Sequence, residues 1–277
     1  MRNERSSGSL LAAGTILTLA ALMAPSWATG QRETVLHRFP SGRGDGYYPY
    51  AGLISDASGN LYGTTVYGGI YKGCYNSCGT VFQLVPKAGG GWTENVLHTF
   101  DDNGVDGLQP FGGLVFDKAG NLYGTTENGG AYGGGTIFEL SPVEGGQWKE
   151  QILYNFASYT GDAISPVAGL VFDAYGNLYG TALGGGSSGF GAVFELYPNE
   201  DGSWSERVLY GFESNGTDGY EPYSGLVIDA STCLLVLPAP RAHPLRFLQR
   251  VGISVRADAA SKPSDSTASQ PAPARRQ

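Results

Sequence analysis

The string Gly-Asn-Leu-Tyr-Gly-Thr occurs three times in this chain, at residues 59–64, 120–125 and 176–181. Its flanks recur with it. Gly-Leu opens each unit at Gly52, Gly113, Gly169 and Gly225. Phe82, Phe138 and Phe194 follow, then Trp92, Trp148 and Trp204, then Phe100, Phe156 and Phe212. The spacing is 61 residues from the first Gly-Asn-Leu-Tyr to the second and 56 to the third. A fixed period of this size means one supersecondary unit copied several times, and it constrains the fold more than any other feature of the sequence.

Within a unit the pattern reads as four short strands. In the second unit these are residues 113–117, 121–126, 135–140 and 148–156. Between the first two, Asp117-Lys118-Ala119-Gly120 has turn chemistry, because Asp bonds its own backbone two residues on and Gly supplies positive φ. Asp56, Gly59 and Asn60, then Asp117, Gly120 and Asn121, then Asp173, Gly176 and Asn177 therefore define a tight hairpin in each unit. Pro142 closes the third strand. The fourth alternates at period two, as a half-exposed strand should. Four antiparallel strands in about 50 residues is the size of a propeller blade, which is stable only when stacked on its neighbours. The expected fold is all-β, a β-propeller-like array of four-stranded antiparallel blades with three complete units and a truncated fourth.

The first 28 residues read differently. Arg2 and Arg5 precede an apolar stretch that ends in Pro25-Ser26-Trp27-Ala28. Residues 1–28 are expected to be a secretory signal peptide, since the apolar run falls short of the ~20 residues of a spanning helix. Residues 29–232 hold the repeats and carry 8 Lys+Arg against 22 Asp+Glu, a balance of −14. Such an acidic body argues against a nucleic-acid partner. Cys74 and Cys78 lie in the expansion of the first unit, and a local disulfide between them is the expected use in an exported chain. A zinc half-site is the alternative, but no second Cys or His pair completes it.

The unit Gly-Leu-x-x-Asp-x-x-Gly-Asn-Leu-Tyr-Gly-Thr-Thr-x-x-Gly-Gly, followed by Gly-Thr-Val/Ile-Phe-x-Leu, resembles the GloVer tandem repeat of the choice-of-anchor tandem repeat proteins. Residues 52–69, 113–130 and 169–186 match its first part, and 79–84, 135–140 and 191–196 its second. Ala182 and Ala192 stand where the pattern has Thr. The resemblance implies an exported or surface-attached repeat protein. Its Asp-x-x-Gly-Asn-Leu-Tyr core is also similar to blade repeats of other propellers.

The pattern breaks in the fourth unit. After Gly225-Leu226-Val227-Ile228-Asp229-Ala230 the hairpin signature is missing, and Ser231-Thr232-Cys233-Leu234-Leu235 stands in its place. Residues 233–277 carry 7 basic against 2 acidic residues and are rich in Ala, Pro and Arg. A frameshift near codon 231 is the reading favoured over a natural low-complexity tail, because it explains the simultaneous loss of repeat, glycine and acidity. The tail is expected to be disordered, and the interrupted hairpin to leave an unpaired edge open to self-association.

No catalytic motif stands out. Asp45, Asp106, Asp162 and Asp218 recur once per unit and read as turn-forming acids. The run Asp101-Asp102-Asn103-Gly104-Val105-Asp106-Gly107 fits no register of the EF-hand loop. His37 and His98 take the repeat position held later by Tyr154 and Tyr210, which suggests aromatic packing. The expectation is therefore a non-catalytic protein with no cofactor and no metal, offering a surface to an extracellular protein or glycan. The alternatives are a lectin stacking sugars on Tyr47, Tyr48, Tyr50, Tyr67 and Tyr71, or a propeller-type lyase or hydrolase.

Overall fold

Each Asp-x-x-Gly-Asn segment closes a hairpin in the computed structural model of the chain. Gly59, Gly120 and Gly176 have φ of +82°, +91° and +93°, the left-handed turn that a side chain would strain. The structure describes residues 33–39, 44–70, 78–215 and 218–228, with the backbone alone of 233–236 and 253–254. The chain divides into two compact units, Met1–Val35 and Leu36–Gln277, and every blade lies in the second. Residues 1–28, together with Tyr71, Cys74 and Asp229, lie outside the described residues.

The described residues are all-β. Blade one is built from Ile54–Ser55, Leu61–Thr65, Thr80–Pro86 and Trp92–Thr99. Blade two uses Val115–Phe116, Leu122–Thr126, Thr136–Pro142 and Trp148–Asn155, and blade three Val171–Phe172, Leu178–Ala182, Ala192–Pro198 and Trp204–Gly211. Each is an antiparallel meander with its strands in chain order. The opening strands are shorter than the sequence suggests. Each unit also holds a two-stranded ribbon that the sequence did not signal: Gly46–Tyr47 with Tyr67–Gly68, Gly107–Leu108 with Asn128–Gly129, and Ala163–Ile164 with Gly184–Gly185.

The core lies between blades. Tyr62 and Phe100 of blade one pack with Leu114, Leu122 and Phe138 of blade two. Tyr123 and Phe156 of blade two pack with Leu170, Leu178 and Phe194 of blade three. Tyr179, Val193 and Phe212 pack with Leu226 and Ile228. Edge-to-face contacts mark the seams: Phe100 meets Phe138 at 5.2 Å between ring centroids, and Tyr123 meets Phe172 at 5.1 Å. Buried threonines add hydrogen bonds across them. Thr64 donates to the carbonyl of Gly112 at 3.1 Å, Thr125 to Ala168 at 3.0 Å and Thr181 to Ser224 at 3.0 Å. These roles explain why Tyr-Gly-Thr is copied intact.

Its central glycine is a matter of space. A Cβ on Gly124 would sit 2.5 Å from Phe138 Cζ, and on Gly180 2.4 Å from Phe194 Cζ. The phenylalanine of the third strand lies over the bare backbone of the second and fills the place a side chain would take.

The outer strand of each blade carries a β-bulge. The register shifts between Ile137 and Phe138, which face Tyr154 and Ile152, so Leu153 is the extra residue. The same shift recurs at Val81/Phe82 and Val193/Phe194. An extra residue reverses the alternation of side chains beyond it. Ile152 accordingly faces blade one, whereas Tyr154 faces blade three. Val208 and Tyr210 divide in the same way between the second seam and the third.

In the fourth unit, Leu226–Ile228 pairs with Cys233–Val236 even though the hairpin signature is absent, and Cys233–Val236 pairs in turn with Ile253–Ser254. Val227 faces Leu235, just as Val171 faces Tyr179 eight residues on in blade three. The opening strand is therefore paired, contrary to the unpaired edge expected from the sequence. Ladder hydrogen bonds come from the backbone and do not require the repeat's side chains.

A Gly124→Ala substitution should destabilise the chain by about 1–3 kcal/mol through overpacking against Phe138. Gly52→Ala should be close to neutral, because nothing lies within 4 Å of a Cβ there. Urea midpoints of the two variants check the contrast; equal losses would remove the glycine–phenylalanine contact as the cause.

Candidate functional site

The recurring hairpin acids are occupied within their own turns. Asp117 Oδ1 accepts from the backbone N–H of Ala119 and Asn121, at 2.8 and 2.9 Å. Its Oδ2 accepts from Asn121 Nδ2 at 2.8 Å and from the Tyr123 hydroxyl at 3.2 Å. Asp56 and Asp173 repeat this arrangement with Asn60 and Tyr62, and with Asn177 and Tyr179. Burial acts to raise the Asp56 pKa, but hydrogen bonds from Asn60, Tyr62 and Ser58 outweigh it and leave the group below its ordinary value. Four donors on one carboxylate leave it little capacity for anything else.

The second set of recurring acids does face other chemistry. Asp106 closes its own loop, accepting from Asp101 N at 2.9 Å and Gly107 N at 2.7 Å. Within that loop Asn103 Oδ1 accepts from Val105 N and Asp106 N, so the run over residues 101–107 is organised by turn bonds. Beyond the loop, His98 Nε2 lies 3.3 Å from Asp106 Oδ2 and 3.4 Å from Glu150 Oε1 of the next blade. His37, Asp45 and Glu94 form the same group one unit earlier, with Nε2 3.1 Å from Glu94 Oε2 and 3.9 Å from Asp45 Oδ2. His98 packs edge-on against Phe100 at 4.7 Å. The histidines thus pack as aromatics, as the sequence suggested, and also present a nitrogen to two carboxylates.

The glutamates were missed from sequence. Their signal is a Glu four residues before each His or Tyr: Glu94 before His98, Glu150 before Tyr154, Glu206 before Tyr210. Read at period two, that spacing puts both side chains on one face. The bulge puts them on opposite faces, so each strand gives its Glu to one seam and its His or Tyr to the next.

In the third copy phenols replace the imidazole. Tyr154 OH donates to Asp162 Oδ2 at 3.2 Å, and Tyr159 OH to Glu206 Oε2 at 2.7 Å. Burial raises Glu94, helped by the neighbouring Asp45 carboxylate, and raises Glu150, helped by Asp106. Burial also pushes Glu206 up to about 7; the Tyr159 hydrogen bond opposes this and the Asp162 charge adds to it. In copy four Tyr210 OH donates to Asp218 Oδ2 at 2.9 Å.

A third feature lies in the loops that follow these acids. Tyr48, Gln109, Ser165 and Glu221 each precede a proline and adopt φ of 61°, 60°, 57° and 48°. Left-handed backbone at four equivalent non-glycine positions persists only where surrounding bonds over-determine it. Gln109 N donates to Cys78 O at 2.8 Å, and its carbonyl accepts from Glu127 N at 3.1 Å. In unit one this loop carries Tyr47, Tyr48 and Tyr50, which line a cleft of 460 Å³ with Tyr67. Tyr48 and Tyr50 are 58% and 68% exposed and stack at 6.2 Å with 18° between ring planes. Cys78 is disulfide-bonded and buried; its expected partner, Cys74, lies outside the described residues.

The raised Glu206 predicts a pH dependence. The unfolded chain releases this proton near the ordinary value of 4.5, whereas the folded chain holds it to about 7. The stability contributed by the protonated group is present in acid and lost as pH rises through about 7. Relative to Glu206→Gln, the wild type should lose stability as pH rises from 4.5 to about 7 and change little above that window. Urea titrations across the range test it; a difference independent of pH would show that Glu206 is already ionised in the fold.

No curated protein is similar to the chain at a significant level. The family model described as the Gloeobacter/Verrucomicrobia repeat matches residues 6–236, a span that contains all three blades and the opening of the fourth unit. With blades, seams and hairpins recurring in that register, the chain belongs to the Gloeobacter/Verrucomicrobia repeat family.

Proposed function

We propose that this chain is an exported, non-catalytic repeat protein that uses its propeller-like surface for binding or adhesion, with an extracellular glycan or protein as partner. The tyrosine cleft of unit one carries this reading. Exposed tyrosines spend apolar surface on water unless a ligand covers them, and aromatic rings with polar tips are the side chains that recognition sites favour. The left-handed loop holds Tyr48 in place before any ligand arrives, which lowers the ordering cost of binding.

Other features support parts of the reading. The leader-like residues 1–28 and the disulfide at Cys78 fit an oxidising, extracytoplasmic setting. No helix among the described residues is long and apolar enough to cross a membrane. The acidic body disfavours nucleic acid. The His–Asp–Glu groups occur in two equivalent seams, whereas a catalytic centre is needed once, so they speak for a scaffold device over an active site. The sheet of the fourth unit is a place where chains could associate edge to edge.

Among ligands the cleft favours a glycan, because a parallel tyrosine pair offers flat faces to the C–H face of a sugar ring. Screening the full-length chain on a glycan array should find retained oligosaccharides. Tyr50→Ala should weaken the best of them about two- to ten-fold, the loss of ~0.5–1.5 kcal/mol of aromatic contact, with the melting temperature unchanged. An array with no retained sugar would sink the glycan and leave a protein partner.

A further inference from the structure

The seam clusters hold more carboxylate than their histidines can satisfy. A single N–H on His98 Nε2 can serve one acceptor, and its aligned bond goes to Asp106 Oδ2 at 3.3 Å. Glu150 Oε1 is shielded from solvent and has no hydrogen-bond partner, although it lies 3.4 Å from the same nitrogen. In the first copy His37 Nε2 and Glu94 Oε1 are both shielded and both without an aligned partner. The carboxylates of Asp106 and Glu150 are only 8% and 17% exposed. Two buried carboxylates facing one another need either an extra proton or a cation between them.

The spacing fits a cation. Three ligand atoms, one imidazole nitrogen and two carboxylate oxygens, lie within 4.8 Å of one another in each group. Zinc bonds of about 2.0–2.1 Å in tetrahedral geometry separate neighbouring ligand atoms by about 3.3 Å. The two distances from His98 Nε2 are 3.3 and 3.4 Å. Asp106 is fixed by Asp101 N on Oδ2 and Gly107 N on Oδ1, outer contacts of the kind that orient a ligating carboxylate. The group opens on a cavity of 240 Å³ bordered by Asp101, Asn103 and Val105, which leaves access for the ion and room for a water at a fourth position. One nitrogen and two oxygens are a borderline donor set, suited to zinc more than to calcium.

We infer that His98, Asp106 and Glu150 bind a divalent transition-metal ion of the zinc class, and that His37, Asp45 and Glu94 bind a second, each ion bridging one unit to the next. The ligands come from both sides of the seam: His98 and Asp106 from the end of blade one and the loop after it, Glu150 from blade two. Bound zinc is therefore a cross-blade staple as well as a ligand site. The third copy is its internal contrast. There Tyr154 and Tyr159 donate to one oxygen of Asp162 and one of Glu206, and among the described residues no imidazole joins them.

The test uses the tag-free full-length chain, stripped with chelator, dialysed against ZnCl₂ and freed of loose metal by gel filtration. Mass spectrometry of the metal should find about two zinc ions per chain, one for each group. His98→Tyr and Glu150→Gln should each lower the content by about one ion. His98→Tyr installs the residue that blades two and three carry at this position (Tyr154 and Tyr210), so it is compatible with the fold; circular dichroism of each variant checks this. Zinc should also raise the melting temperature of the wild type more than that of either variant. A wild type that retains no zinc, zinc content unchanged in both variants, or retention of calcium but not zinc would overturn the assignment. The first of these would leave a shared proton as what balances the paired carboxylates.

Discussion

Each blade has two apolar faces and no helix among the described residues covers either, so each is buried against its neighbours on both sides. That requirement organises the rest. The three hydrophobic clusters all combine residues from successive units. The fittings are small and repeated: a phenylalanine laid over a glycine, a phenylalanine from the preceding unit set edge-on or tilted against it, and a buried threonine bonded to a neighbouring carbonyl. A unit taken alone would expose both faces, which is why stability in such arrays resides in the interfaces as much as in the repeats. Leu226 and Ile228 of the fourth unit cover the last face of blade three. The backbone pairing of Leu226–Ile228 with Cys233–Val236 keeps that cover in place although the repeat motif has ended.

The bulge in each outer strand turns this packing into an electrostatic problem. By reversing the alternation it sends Glu and His or Tyr from one strand into opposite seams. Each of the first three copies then joins a Glu from one side to an Asp with its aromatic partner from the other. Carboxylates brought together at low exposure raise one another's affinity for protons or cations. The chain answers in two ways. In copies one and two an imidazole stands between the acids; in copy three two phenols donate to them. Asp and Glu hold their places while the group between them changes, which marks the pair as a property of the frame and the bridging group as the variable.

Much of the frame was legible in the sequence. The hairpins could be read because their chemistry is local: Asp117, Gly120 and Asn121 meet within one turn, and side-chain bonds over two to four residues obey fixed rules. Blade size and stacking followed from the period. The seam clusters were not legible, for a specific reason. A bulge leaves no residue signature in Gln151-Ile152-Leu153-Tyr154, which reads as an uninterrupted strand, yet it decides which blade Tyr154 touches. Glu150 recurred as plainly as Asp106 but passed for the polar face of a half-exposed strand. The Gly107–Leu108 ribbon escaped notice because two residues are too few to show a period. The fourth hairpin leaves no mark in the sequence because its pairing is carried by backbone groups, which every residue has.

The loops after the recurring acids divide geometry from chemistry. Tyr48, Gln109, Ser165 and Glu221 share the same left-handed backbone before proline, and nothing else. A strained conformation kept in four places under four different side chains is maintained by the frame: by hydrogen bonds from one unit's loop to the next, such as Ser165 N to Gly134 O at 2.8 Å and Glu221 N to Phe190 O at 2.9 Å. The side chain is then free to differ without cost to the fold. Rigid backbone with variable exposed residues is the arrangement by which scaffolds acquire binding surfaces. Unit one fills its loop with Tyr47, Tyr48 and Tyr50, and Tyr67 on the paired strand completes the cleft. Unit two offers Gln109, whose side chain accepts from Asn128 at 2.6 Å and so stays within its own ribbon. The same loop thus serves structure in one unit and exposes aromatic surface in another, and the second use is the one that asks for a ligand.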